Sequence, residues 1–155
     1  MTCIIVDTQT RLVGLDSANT DSAGFQWRTD KFEKLKDGRI FLGSGHNLTI
    51  RLAKKWAEAK FKEPVPETLF NLILDHNEDS NYSFSCLILD PDSDVVLMLD
   101  EELVPMEVQG RYHAVGSGAA YAIGAARAGA TMGDAVAIAV EYDQYCSEPV
   151  RVIGY

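Results

Sequence analysis

The stretch AVGSGAAYAIGAARA, residues 114–128, decides the fold because it joins a short strand to a helix built almost entirely from small side chains. The pattern predicts a strand near 112–115, a turn through Gly116, Ser117 and Gly118, and a helix to about residue 130. Glycines permit a tight turn, and a serine at a helix start can cap free amides. Ser117 is therefore a candidate site residue, although an ordinary helix cap is the commoner role for such a serine.

A second helix and a closing strand follow this stretch. The segment Thr131-Met-Gly-Asp134 resembles a capping box with aspartate in the Glu/Gln position, and it predicts a helix through about residue 142. Residues 149–153 have the pattern of a final strand. A helix as rich in alanine and glycine as 117–130 could pack very closely against a neighbour.

The preceding part of the chain combines short strands with two helices. Strands are predicted at 2–6, 12–15, 31–35, 39–42, 82–89 and 95–99, and residues 16–30 form a polar loop. Between 47 and 61, Leu48, Leu52 and Trp56 recur at helical spacing, and a shorter helix follows over 67–74. Because strands and helices do not alternate regularly, the order favours an α+β fold with antiparallel sheet and segregated helices.

Composition narrows the classes of function. The chain has 155 residues, one domain by length, and a formal net charge of −9. Nucleic-acid binding asks for a basic patch, so no nucleic-acid partner is expected. Three scattered cysteines fit a reducing compartment, and no apolar run approaches a membrane span. We expect a cytoplasmic protein with no membrane partner.

The start of the chain offers one chemically specific possibility. An N-terminal threonine can use its own α-amine as the general base for its hydroxyl. That amine needs a nearby cation to lower its pKa, and the cation needs a carboxylate to hold it. Thr2 follows the initiator Met1, and Lys31 and Asp16 are candidates for the cation and the carboxylate. Each alone is an ordinary strand, surface or turn residue.

Taken together, these pieces resemble the proteasome β-subunit superfamily of N-terminal nucleophile hydrolases, and most of all the bacterial HslV peptidases. The similarity runs over nearly the whole chain. Residues 114–128 resemble the family's Ala-Ile-Gly-Ser-Gly turn followed by Tyr-Ala and an Ala-rich helix. Residues 2–6 (TCIIV) resemble its Thr-Thr-Ile-Val opening, 14–20 its Gly-Asp-Gly-x-x-Thr segment, and 30–43 its lysine-bearing strand with the strand that follows.

The resemblance implies a single proteasome/HslV-like domain over 1–155, folded as a four-layer αββα sandwich. It also implies a catalytic set. Thr2 would be the nucleophile once Met1 is removed, Lys31 would depress the pKa of the freed amine, and Asp16 would hold Lys31. Ser117 would complete the hydrogen-bond network near the amine.

Further residues follow from the same resemblance. Backbone amides of Gly45 and His46 would form the oxyanion hole, and Thr29 and Gly43 would contact substrate.

A structural sodium or magnesium ion could be held by main-chain carbonyls near Val140, Asp143 and Cys146, where an ordinary helix-to-strand turn is the competing interpretation. No cofactor is required. The implied activity is that of a threonine-type endopeptidase acting on polypeptides, assembled as a homo-oligomeric ring and served by an AAA+ unfoldase ATPase.

The sequence departs from the family pattern in three places. His46 and Asn47 stand where family members have a Gly-Gly pair, and residues 64–81 are shorter than the corresponding second helix. Met1, if retained, blocks the amine. The alternative is therefore a non-catalytic ring-forming or binding protein with Met1 retained. A small-molecule amidase of the same nucleophile class, which would not form a ring, is a third reading.

Overall fold

The computed structural model describes residues 2–20, 26–28, 30–74 and 82–155, and these divide between two compact units. The two ends of the chain, up to Lys31 and from Gln109 onward, build the first unit, and Phe32–Val108 build the second. The predicted single domain over 1–155 stays a prediction.

Four helices and eleven strands lie in the described ranges. The helices are α1 Asn47–Glu58, α2 Glu67–Leu74, α3 Ala119–Arg127 and α4 Met132–Tyr142. The strands are β1 Ile4–Asp7, β2 Leu12–Leu15, β3 Ala18–Thr20, β4 Gln26–Arg28, β5 Phe32–Lys34, β6 Ile40–Gly45, β7 Phe84–Leu89, β8 Val96–Asp100, β9 Met106–Val108, β10 Tyr112–Val115 and β11 Arg151–Gly154.

The first unit contains an antiparallel sheet in the order β10-β1-β2-β11, packed against α3 and α4. In the register of β1, Ile4 faces both Leu15 on β2 and Val115 on β10. Small residues let the helices lie close to the strands. A Cβ on Gly14 of β2 would sit 2.8 Å from a methyl group of Val136 on α4. At the start of α3, a Cβ on Gly118 would sit 3.1 Å from the Cβ of Ala139 on α4, so the close packing predicted for the alanine-rich helix is present there.

The starts of α3 and α4 differ in how they are capped. Thr131 caps α4, because its hydroxyl accepts a hydrogen bond from the Asp134 amide at 3.2 Å and donates to the Asp134 carboxylate at 2.6 Å. This confirms Thr131 as the cap of α4, with the Asp134 carboxylate bonded to the Thr131 hydroxyl rather than, as in a capping box, to its backbone N–H. At α3 the cap position is Gly118, not Ser117. The capping role considered for Ser117 is therefore wrong.

The second unit has its own antiparallel sheet, β5-β6-β7-β8-β9, with α1 and α2 covering a core. Phe41, Ile88 and Leu99 from the strands pack there with Trp56 from α1 and Leu69 from α2. Fully burying side chains of this size contributes about 1.5–3 kcal/mol each. Helix α1 turns Thr49, Ala53, Trp56 and Ala57 inward. Of the apolar face predicted for it, Trp56 is buried, whereas Leu48 is 41% exposed, so that part of the prediction is wrong.

Some elements differ from the prediction. The polar loop expected over 16–30 contains a short hairpin formed by β3 and β4, and β9 was not expected at all. Helix α1 ends at Glu58, three residues before the predicted end. No described helix is long and apolar enough to cross a membrane. Two antiparallel sheets with four helices in the described residues confirm the α+β class.

Candidate active site

Thr2 and Asp16 meet at one end of the first sheet. Thr2 lies just before β1 and Asp16 just after β2, and these strands are antiparallel neighbours, so the pairing itself brings the two residues together. The Thr2 hydroxyl donates to Asp16 Oδ1 at 2.8 Å, and the Cys3 amide donates to the same oxygen at 2.8 Å. Thr2 is 2% exposed and Asp16 is fully buried.

Lys31 completes this contact from the end of the segment that leads out of the unit. Its ammonium donates to Asp16 Oδ1 at 2.6 Å, and both side chains are buried. Burial lowers the pKa of Lys31 below its ordinary value, although the charge and hydrogen bond of Asp16 act in the opposite direction. A buried lysine of this kind is more easily deprotonated than one in water.

The three groups share a single carboxylate oxygen. Thr2 Oγ1 and Lys31 Nζ therefore lie no farther apart than the two bonds of 2.8 and 2.6 Å laid end to end. This is about the span of one bridging water, within reach for proton-transfer chemistry. The structure thus brings together three of the four predicted catalytic residues.

The glycine turn at 116–118 holds the backbone of Thr2. Gly116 has φ +98°, and a Cβ there would lie 2.1 Å from the Thr2 carbonyl oxygen. The Gly118 amide donates to that same oxygen at 3.2 Å. Only glycine at position 116 permits this approach, which explains why the turn needs a residue without a side chain.

Ser117, between these glycines, is close enough to the Asp143 carboxylate to influence its pKa. Burial acts to raise the pKa of Asp143, but hydrogen bonds from Ser117, the Tyr145 amide and the Cys146 thiol outweigh it and lower the pKa. The lowered pKa keeps the Asp143 carboxylate ionised near Ser117.

The side chain of Asp143 is the site residue that sequence reasoning missed, since only its main-chain carbonyl was considered. Asp143 is the C-terminal cap of α4 and is 8% exposed. A helix macrodipole disfavours an anion at its C-terminus. A carboxylate placed there is a signal that some other contact holds it.

Known proteins resemble this chain in structure rather than in sequence. The sequence matches no protein-family model and no curated protein. The structure resembles HslV from Trypanosoma brucei with a TM-score of 0.68 and 20% identity, covering 99% of this chain and 100% of that one. The chain has the HslV fold.

Two further solved structures have a similar fold. Thiobacillus denitrificans BPH in complex with epoxomicin matches with a TM-score of 0.66 and 17% identity, covering 98% of this chain and 97% of that one. A second structure of Thiobacillus denitrificans BPH gives a TM-score of 0.64 and 21% identity, covering 99% and 96%. The resemblance to the proteasome and HslV group is confirmed at the level of the fold.

The residues predicted for the oxyanion hole lie in the second unit of the HslV fold. Gly45 ends β6 with φ +121°, and a Cβ there would meet the Ser83 carbonyl oxygen at 2.2 Å. The His46 amide donates to that same carbonyl at 2.9 Å. The prediction of His46 as an oxyanion donor is therefore wrong for this structure, because its N–H already bonds the Ser83 carbonyl. Gly45 stays a prediction.

The predicted substrate contacts are only partly described. Gly43 lies on β6, where a Cβ would meet a methyl group of Ile50 at 2.7 Å, so this position accepts no side chain without movement. Thr29 lies outside the described residues.

The carbonyl cation site near Val140, Asp143 and Cys146 shows the geometry of an ordinary turn. The Asp143 carbonyl accepts a hydrogen bond from the Cys146 amide at 3.0 Å. Among the described residues, no group of three or more His, Cys, Asp or Glu side chains could hold a metal ion. Carbonyl ligation of sodium or magnesium stays a prediction, and no chemistry is derived through it.

Proposed function

We propose that this chain is a threonine-type endopeptidase in which Thr2 is the nucleophile after Met1 is removed. The observation that carries the proposal is the buried contact of the Thr2 hydroxyl and the Lys31 ammonium with one oxygen of Asp16. A buried charge pair is costly unless its geometry is good and its other hydrogen bonds are made. An N-terminal nucleophile needs such a charge pair beside the first residue of the processed chain, and the Lys31–Asp16 pair lies beside Thr2.

The proposed reaction uses the freed α-amine of Thr2 as general base. An α-amine has an ordinary pKa of about 7.7–8.0, and a lysine cation nearby lowers it toward neutrality. The hydroxyl proton passes to the amine as Oγ1 attacks the peptide carbonyl. The C–N bond then breaks, the proton goes to the leaving amine, and an ester remains on Thr2. Water hydrolyses that ester with the same amine as base.

Asp16 and Ser117 have supporting roles in this scheme. Asp16 orients the hydroxyl and keeps Lys31 in place, and Ser117 lies in the glycine turn that holds the Thr2 backbone. In the described state the hydroxyl proton points at Asp16. The freed amine would replace Asp16 as its acceptor during attack.

The wider assignment rests on the likeness to HslV. We propose polypeptide substrates, a homo-oligomeric ring, an AAA+ unfoldase ATPase as partner and a cytoplasmic location. The HslV-like fold supports polypeptide substrates and a ring, and the net charge of −9 argues against a nucleic-acid partner.

The test is peptide hydrolysis by protein whose intact mass shows loss of Met1. Thr2→Ala should abolish hydrolysis of a fluorogenic peptide and Thr2→Ser should retain part of it. Thr10→Ala, at an exposed threonine of the same unit, should leave it unchanged. Epoxomicin, the ligand of one BPH structure, should add to wild-type protein and not to Thr2→Ala. Full activity in Thr2→Ala would exclude the mechanism.

One observation favours the alternative of a non-catalytic ring-forming or binding protein. The His46 amide is bonded to Ser83, so one of two predicted oxyanion donors is engaged. Intact mass of protein from its native host discriminates the two. Uniform retention of Met1, together with no epoxomicin adduct, would support the non-catalytic role.

A further inference from the structure

The second oxygen of Asp16 is held by a loop that follows α4. The Ser147 amide donates to Asp16 Oδ2 at 3.2 Å, opposite the oxygen that faces Thr2 and Lys31. A carboxylate held on both oxygens cannot rotate freely. The position of Ser147 therefore sets the direction in which Oδ1 points.

Ser17, the residue after Asp16, ties this loop down with two bonds. Its amide donates to the Ser147 carbonyl at 3.1 Å, and its hydroxyl donates to the Pro149 carbonyl at 2.7 Å. Together with the Ser147–Asp16 bond, these contacts close a ring between two adjacent residues and the 147–149 loop. Ser17 is 5% exposed, so water does not readily compete for its hydroxyl.

The loop has little else to fix it. Ser147 is half-buried, and Glu148 and Pro149 are exposed, so the loop buries little apolar surface of its own. The Ser17 hydroxyl reaches the far end of the loop, where it bonds the Pro149 carbonyl. A segment with few buried contacts opens easily, so losing one of its hydrogen bonds makes opening easier still.

We propose that Ser17 is a positioning residue of the active site, which anchors the 147–149 loop so that the Ser147 amide orients the Asp16 carboxylate toward Thr2 and Lys31. Its kinetic consequence rests on the proposed peptidase function. Its structural consequence, a protected Ser147 amide, does not.

The experiment compares Ser17→Ala, Ser17→Thr and Ser17→Cys with wild type by hydrogen exchange and by peptide hydrolysis. Exchange is followed by mass spectrometry in fragments that isolate the Ser147 amide. Ser17→Ala should speed that exchange and lower kcat, each by about fivefold to tenfold, with KM unchanged, since one hydrogen bond is worth about that factor. Ser17→Thr should restore both, and Ser17→Cys, of similar size but a weak donor, should fall between.

The matched control is Thr131→Ala, which removes a hydroxyl from the α4 cap of the same unit. It should change neither Ser147 exchange nor kcat. Unchanged exchange in Ser17→Ala and Ser17→Cys would overturn the tether. Faster exchange with unchanged kcat would overturn the positioning role. If wild type hydrolyses no peptide, the proposed function fails, and the same exchange data still decide the tether.

Discussion

Asp16→Asn is the substitution whose effect on stability follows most directly from the site. The asparagine keeps the size of the side chain and can keep an oxygen toward Thr2 and Lys31. It removes the negative charge that balances the buried Lys31 ammonium. It also turns an amide N–H₂ toward the Ser147 N–H, so that two donors face each other where a bond of 3.2 Å existed.

The magnitude follows from burial. The side chains of Lys31 and Asp16 are 5% and 0% exposed, and their atoms are 2.6 Å apart. Removing one partner of such a buried pair costs about 3–5 kcal/mol, because the other charge stays buried without compensation. A domain of this kind is stable by only about 5–15 kcal/mol, so Asp16→Asn removes a large share. Lys31→Met should cost a similar amount, and the double variant should cost less than the two together.

The assay is urea unfolding at fixed protein concentration, which keeps any effect of association constant. The control is Asp30→Asn, which breaks the exposed Arg151–Asp30 pair, whose side chains are 42% and 59% exposed. Exposed pairs contribute about 0–1 kcal/mol. If Asp16→Asn cost no more than Asp30→Asn, the buried pair would not have the energetic role assigned to it.

Three further outcomes test other parts of the structure. Gly116→Ala should lower the melting temperature sharply, because its Cβ would collide with the Thr2 carbonyl at a φ of +98°. Gly124→Ala, whose Cβ would have nothing within 4 Å, should instead raise the free energy of unfolding by about 0.5–1 kcal/mol in the same thermal unfolding measurement. Burial raises the pKa of all three cysteine thiols, that of Cys3 to about 12, so a thiol reagent at pH 8 should label none in the folded protein and three per chain in urea. The hydrogen bond from Arg111 lowers the pKa of Asp7 to about 2. Because the pKa of Asp7 is lower in the folded state, Asp7→Asn should lower the free energy of unfolding by its full amount above about pH 4. This difference should vanish as the pH falls toward about 2, and unfolding at each pH measures it.

Much of the fold could be predicted because its signals are local. The capping threonine at 131, the glycine turn at 116–118 and the period change at 47 each act within a few residues. The β3–β4 hairpin was missed because Ala18–Thr20 and Gln26–Arg28 are short and polar, and their pairing carries no hydrophobic alternation. β9 was missed for a similar reason, since two of its three residues are exposed.

In the candidate site, too, some residues could be predicted from the sequence and others depend on contacts between distant segments. The chemistry of an N-terminal threonine called for a lysine and an aspartate, and the family resemblance chose Lys31 and Asp16. The register of β1 and β2 brings Thr2 and Asp16 together. The side-chain role of Asp143 depends on a contact with Ser117 across 26 positions, which no local pattern encodes. The engaged amide of His46 depends on Ser83, on a different segment, so its availability could be read only from the structure.

The central claim is that the free α-amine of Thr2 makes this threonine a nucleophile. The most direct measurement compares two preparations that differ only at the N-terminus. One begins at Thr2, released from a cleavable fusion, and the other retains Met1, with both confirmed by intact mass. A positioned general base contributes about 10²–10⁴-fold, so the Thr2 form should hydrolyse a fluorogenic peptide at least about a hundred times faster. Equal rates in the two preparations would contradict the claim.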